Sequence, residues 1–89
     1  MQGLMMNAPL TISSIVHHAE RVHGHKEIVS VTRDNPRHRY TYGQAFGRAR
    51  QLANAIDRWN LSLGDRIATF AWNDYRHLET YYASACSGY

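Results

Sequence analysis

Six histidines in an 89-residue chain are the first residues whose chemistry could matter, because imidazole is the commonest metal ligand in proteins. Four of them are close in sequence: His17, His18, His23 and His25. Helical metal sites pair ligands three or four residues apart, whereas these four are separated by 1, 2, 5, 6, 7 or 8 positions, with no cysteine nearby. The spacing therefore favours solvated or interface histidines over a metal site.

Nine arginines, one lysine and ten aromatic residues could indicate nucleic-acid binding through phosphate contacts and base stacking. The net charge is only +3, and the cations never form a block. Arg48, Arg50 and Arg58 spread around the polar side of a predicted helix rather than forming a stripe. The pattern favours a solvated face. A small basic module that binds nucleic acid or a protein partner remains the alternative.

Five large aromatic residues could line an apolar pocket. Their helical or strand spacing instead favours ordinary core packing. They are Trp59, Trp72, Tyr75, Tyr81 and Tyr82.

Two charged pairs and one thiol are the remaining candidates for chemistry. His77 with Glu79, and Asp65 with Arg66, are better interpreted as surface or turn residues than as acid–base pairs, because neither has a third partner. The single Cys86 is better explained as a small buried hydrophobe than as a nucleophile. No catalytic, cofactor-binding or metal-binding residue is therefore predicted.

A helix and a hairpin are predicted in the first forty residues. Thr11 can cap a helix that Gly24 ends in a left-handed turn. Ile28–Arg33 and Arg37–Tyr40 are predicted strands, and Asp34–Pro36 supplies the turn between them. The helix has an apolar face formed by Ile12, Ile15, Val16, Ala19 and Val22.

A second helix is the strongest pattern in the sequence. Thr41 and Gln44 have the spacing of a capping box, so the helix is predicted to begin there. Asn60 tolerates the left-handed conformation that ends a helix, and Gly64 can turn the chain with positive φ. The predicted buried face comprises Tyr42, Phe46, Ala49, Leu52, Ala53, Ile56 and Trp59.

The last part of the sequence predicts a strand followed by a helix. Arg66–Trp72 is almost continuously apolar, which indicates an interior parallel strand buried on both faces. Asn73 or Asp74 can cap the helix, and Ser87–Tyr89 is predicted to be an exit turn. The helix should bury Tyr75, Leu78, Tyr82 and Ala85, with Tyr81 and Cys86 at the margin.

The order helix, hairpin, helix, strand, helix predicts an α/β fold that is incomplete. A buried central strand needs neighbouring strands on both edges and helices on both faces, and 89 residues supply too few. We therefore expect the opening segment of a larger domain, without an internal domain boundary. The lone cysteine gives no disulfide, and we find neither a signal-peptide pattern nor an apolar run of membrane length. A cytoplasmic protein is expected.

Several short blocks together resemble the start of AMP-forming acyl-CoA synthetases, most closely the medium- and long-chain fatty-acyl-CoA ligases. The resemblance rests on the order and spacing of the blocks and covers essentially the whole chain. The blocks are Met1–Met6, Pro9–Thr11, Lys26–Ser30, Tyr40–Tyr42, Gly64–Thr69, Ala71–Asn73 and Arg76–Glu79.

This resemblance implies an adenylation domain that uses ATP, Mg²⁺ and coenzyme A to convert a fatty acid into its acyl-adenylate and then its thioester. The phosphates would need a Ser/Thr/Gly-rich loop ending in lysine. The six glycines never cluster, and the only lysine is Lys26. Residues 1–89 are therefore expected to be an N-terminal scaffold that is inactive alone, with the rest of the domain as its partner. A homo-oligomer is compatible with this expectation.

Overall fold

Three helices and one antiparallel hairpin form the computed structural model, which describes residues 3–89. Their bounds are α1 (Ile12–His23), β1 (Glu27–Ser30), β2 (His38–Thr41), α2 (Tyr42–Asp57) and α3 (Tyr75–Ser87). Met1 and Gln2, which begin the first block of the resemblance, lie outside the described residues. The mixture of helices with a hairpin confirms the α/β class as a partial domain.

The amino end of α1 confirms the predicted cap, whereas its carboxyl end differs from the prediction. The Ser14 backbone N–H donates to Thr11 Oγ1 over 3.2 Å. Gly24 has φ −57°, so the predicted left-handed turn is wrong. A glycine suits this position for a steric reason, because a Cβ atom would clash with the Glu20 carbonyl oxygen.

The hairpin is confirmed, with β1 ending three residues earlier than predicted and β2 shifted by one residue at unchanged length. Glu27 pairs with Thr41, and Ser30 pairs with His38. The connection is held locally, because the Thr32 hydroxyl donates to the Asn35 carbonyl and accepts from the Asn35 N–H, each over 2.8 Å. Four residue pairs thus fix the register of the hairpin.

The predicted capping box of α2 is confirmed, as are two left-handed residues that follow the helix, whose own carboxyl cap is the right-handed Arg58. Gln44 N–H donates to Thr41 Oγ1 over 3.2 Å, and the Thr41 N–H donates back to Gln44 Oε1 over 2.9 Å. Asn60 has φ 54° and Gly64 has φ 85°. Trp59 lies beyond the helix and is largely exposed, so its predicted place on the buried face is wrong.

Asp74 is the cap of α3, which buries a different face from the one predicted. Its carboxylate accepts from the Arg76 N–H over 2.9 Å. The buried residues are Glu79 and Ala83, whereas the four predicted core residues are only partly buried. Gly88, with φ 88°, forms the predicted exit turn.

The core lies where α2 packs on α3. Ala49 and Ala83 are small, which allows the two helices to approach closely around Ile56. Phe46 contacts Tyr82 edge to face with ring centroids 5.4 Å apart. The partly buried residues around this core are Leu52, Ala53, Leu61, Ile67, Tyr82 and Tyr89.

Arg66–Trp72 is not a strand, so this prediction is wrong for the chain as it stands. The only sheet in residues 3–89 is the two-stranded β1–β2 hairpin, so the segment has no neighbouring strand with which to pair. Phe70 is fully exposed and Trp72 is 86% exposed. An apolar segment is thus displayed at the surface.

Candidate functional site

The most buried ionisable side chain in residues 3–89 is Glu79 on α3, which is 7% exposed. Its Oε1 accepts a hydrogen bond from the Tyr40 hydroxyl of β2 over 3.0 Å. The same oxygen accepts from Arg48 Nε of α2 over 2.6 Å. One carboxylate therefore joins three elements, and we call Tyr40, Arg48 and Glu79 the carboxylate cluster.

Aromatic rings surround the carboxylate cluster. The His38 ring stacks on the Tyr75 ring at a centroid distance of 3.7 Å, and Tyr40 meets both rings edge to face. The Arg48 guanidinium lies 6.0 Å from the Tyr75 centroid. His38 Nδ1 is buried without a hydrogen-bond partner in the described part of the chain. These rings shield one side of the cluster from water.

The electrostatics of the carboxylate cluster favour a structural role. Burial, reinforced by the hydrogen bond to Glu79, raises the pKa of Tyr40 well above its usual value. The hydrogen bond to Glu79 raises the pKa of Arg48 as well. Tyr40 therefore remains a neutral donor and Arg48 a cation, so neither group is poised to exchange protons near neutral pH. The cluster docks the hairpin on the helices.

The four neighbouring histidines do not converge. His17, His18, His23 and His25 are all exposed, and the one ring contact among them is the His18–His23 edge contact at 5.8 Å. Within residues 3–89 no group of three or more His, Cys, Asp or Glu side chains could hold a metal ion. The geometry thus gives these histidines no shared ligand.

The two charged pairs from the sequence have separate positions. His77 Nε2 lies 2.9 Å from Thr69 Oγ1 and does not pair with Glu79. Glu79 is buried, so its predicted surface position is wrong. Asp65 has the predicted turn role, because its carboxylate accepts from the Ser62 N–H over 2.8 Å. Cys86 is exposed, which corrects its prediction as a buried residue. Hydrogen bonds from Tyr40 and Arg48, which lie on other elements, stabilise Glu79 in its buried position. The residues next to Glu79 in the sequence do not indicate these hydrogen bonds.

The five aromatic residues considered for an apolar pocket do not converge on one cavity. Tyr75 belongs to the rings around the carboxylate cluster, and Tyr82 packs against Phe46. Both are partly buried in these contacts, whereas Trp59, Trp72 and Tyr81 are exposed, so the predicted core packing is wrong for those three. No acyl-binding pocket is formed by these five side chains.

Within residues 3–89, four arginines form ion pairs across elements of the fold. Arg39 pairs with Glu27 over 3.0 Å within the hairpin, and Arg76 pairs with Asp34 over 2.9 Å between α3 and the hairpin turn. The other two pairs are Arg48–Glu79 and Arg50–Glu20. Much of the basic character thus contributes to tertiary contacts. No helix within residues 3–89 has both the length and the apolar character needed to cross a bilayer.

No family model matches the chain, whereas curated proteins match it closely. It is 46% identical over all 89 residues to the 3-methylmercaptopropionyl-CoA ligase of Ruegeria lacuscaerulensis. It is 46% identical over 88 residues, 99% of the chain, to the medium-chain-fatty-acid–CoA ligase of Ectopseudomonas oleovorans. It is 37% identical over 79 residues, 89% of the chain, to the long-chain-fatty-acid–CoA ligase of Thermus thermophilus.

The matches cover a small share of each relative. The chain spans 16% of the first two enzymes and 15% of the third. Identity at this level over nearly the whole chain confirms the resemblance to acyl-CoA synthetases stated from the sequence blocks. Over its whole length, this chain is homologous to a segment of the acyl-CoA ligases.

Proposed function

We propose that residues 1–89 form the N-terminal part of the adenylation domain of a fatty acid–CoA ligase, without an internal domain boundary. The proposal rests chiefly on the 46% identity to two CoA ligases across nearly the entire chain. The complete enzyme would use ATP, Mg²⁺ and coenzyme A to activate a fatty acid and transfer it to a thiol. We place this enzyme in the cytoplasm, where a lone thiol such as Cys86 stays reduced.

The segment is proposed to act as a scaffold that is inactive alone. ATP would supply a good leaving group to an otherwise unreactive carboxylate, but the described residues do not fit a site for its phosphates. Lys26 is the only lysine and lies exposed between α1 and β1, and the six glycines are scattered. We therefore assign no step of the reaction to a side chain of this segment.

The partner we propose for the segment is the remainder of its own domain. Leu63, Phe70 and Trp72 are exposed along one stretch of chain, and side chains of this size are usually covered in a complete domain. Strands from the rest of the domain would pair with Arg66–Trp72 and cover these residues. A homo-oligomer of the complete enzyme is compatible with this arrangement.

A chimeric ligase tests the proposal directly. The matching segment of the Ectopseudomonas oleovorans enzyme is replaced by this 89-residue chain, and formation of acyl-CoA is measured with ATP, Mg²⁺ and a medium-chain fatty acid. We expect a soluble chimera with ATP-dependent activity, and no acid-dependent pyrophosphate release from the 89-residue chain alone. A folded but inactive chimera would contradict the scaffold role, and activity of the short chain would contradict its inactivity.

Matched substitutions identify the surface that matters. Phe70→Ser in the chimera should reduce soluble, active enzyme, because it removes an apolar side chain that the rest of the domain should cover. Met6→Ser, at another exposed apolar residue outside this segment, should have little effect. A salt-sensitive shift of DNA or RNA mobility by the 89-residue chain would instead favour the basic binding module.

A further inference from the structure

Helix α1 is attached to the rest of the chain more firmly at its carboxyl end than at its amino end. Immediately after α1, the Gly24 carbonyl accepts from the Gly43 N–H over 3.1 Å, and the Lys26 carbonyl accepts from the Tyr42 N–H over 2.9 Å. These bonds fix the residues after α1 to the first turn of α2. Residues 3–11, before α1, are exposed throughout.

Few side chains hold the helix itself in place. Val16 is the only buried residue of α1, whereas its neighbour Ile15 is 59% exposed. In the described part of the chain, the one side-chain hydrogen-bonded link from α1 to another element is the paired contact of Glu20 with Arg50 of α2. Both partners are partly exposed, so this link is weak.

A groove of about 180 Å³, partly open to solvent, lies where α1 meets α2 and α3. Its wall is mainly apolar, so unfilled space there weakens the contact of α1 with the helices below. From α1 it is lined by Val16 and His17, from α2 by Phe46 and Ala49, and from α3 by Tyr82 and Cys86. Helix α1 thus forms one wall of this groove without filling it.

We propose that α1 is a hinged cover, which swings about residues 24–26 and widens this groove while α2 and α3 remain packed together. The carboxyl end of α1 is fixed, a single side chain of the helix is buried, and the groove beside it is unfilled. Opening exposes Phe46 and Ala49, which are buried when α1 is closed.

Hydrogen exchange of the complete 89-residue chain, followed by mass spectrometry on peptides from each helix, tests the hinged cover. We expect α1 amides to exchange about tenfold faster than those of α2 and α3, because α1 opens without them. Val16→Ala should accelerate exchange of the α1 amides by about a further tenfold, with the exchange rates of α2 and α3 little changed. Glu20→Gln should accelerate α1 about two- to fivefold.

Ile15→Ala is the matched control. It alters the same helix by the same kind of truncation, but at an exposed position, so exchange of α1 should change less than about twofold. One common exchange rate for all three helices, whether slow or fast, would overturn the hinged cover. Equal acceleration of α1, α2 and α3 by Val16→Ala would overturn it too, because α1 would then belong to a single cooperative unit.

Discussion

Removing the Tyr40 hydroxyl should loosen the hairpin from the helices. Tyr40→Phe deletes the donor of a 3.0 Å hydrogen bond to Glu79 and leaves the ring in place. Hydrogen bonds to charged groups contribute about 1.5–3 kcal/mol, but Glu79 keeps its bond to Arg48, so we expect a loss of about 1–2 kcal/mol. With RT of about 0.59 kcal/mol, that loss corresponds to roughly five- to thirtyfold faster local opening.

The assay is hydrogen exchange of the hairpin amides, with α2 amides as the internal reference. Tyr81→Phe is the matched control, because Tyr81 is an exposed tyrosine whose hydroxyl makes no hydrogen bond among the described residues. Tyr81→Phe should leave the hairpin unchanged.

A double-mutant cycle isolates the pair. Glu79→Ala should lower the free energy of hairpin opening by about 2–4 kcal/mol, because it leaves the buried Tyr40 hydroxyl without an acceptor. Combined with Tyr40→Phe it should cost less than the sum, giving a coupling of about 1 kcal/mol or more. A coupling indistinguishable from zero would refute the reasoning, since the two side chains would then stabilise the hairpin independently.

Three further changes test local features of the fold. Thr41→Ala removes one half of the capping box and should cost about 1 kcal/mol, measured as faster exchange in the first turn of α2. Gly24→Ala makes a Cβ atom clash with the Glu20 carbonyl oxygen and should destabilise α1 by about 1–3 kcal/mol, with α1 helicity as the readout. Hydrogen bonding to Arg76 lowers the pKa of Asp34 from 3.8 to about 2. The stability contributed by the Asp34–Arg76 ion pair is therefore fully present above pH 3.8 and is lost as the pH falls toward 2. An NMR titration should show this midpoint, and Arg76→Gln should return it toward 3.8.

Features governed by a few neighbouring residues could be predicted from the sequence. The capping box of Thr41 and Gln44 depends on residues three apart, and the left-handed Asn60 depends on its own backbone preference. Gly24 could not be predicted in the same way. Glycine is needed there because the Glu20 carbonyl oxygen, one turn earlier, leaves no room for a Cβ atom. This steric contact does not require a left-handed backbone at Gly24.

The carboxylate cluster could not be predicted, because its partners are distant in sequence. Tyr40 and Glu79 are 39 residues apart, and Arg48 is 31 residues from Glu79. The sequence predicts a surface position for Glu79, because no third partner for the His77–Glu79 pair can be identified from the sequence. Two donors from other elements reverse that assignment by satisfying the buried carboxylate.

The exposed apolar segment Arg66–Trp72 should lower the stability of the 89-residue chain. Its apolar residues predict burial, yet Phe70 and Trp72 are exposed in residues 3–89. A chain that leaves such surface uncovered loses part of the free energy that drives cooperative folding. We therefore expect a broad thermal transition by circular dichroism and self-association by sedimentation velocity, with Trp72→Ser reducing the association and Met6→Ser leaving it unchanged. A monomer with a sharp melt and a dispersed amide spectrum would contradict this expectation, since such a chain would complete its core without added strands.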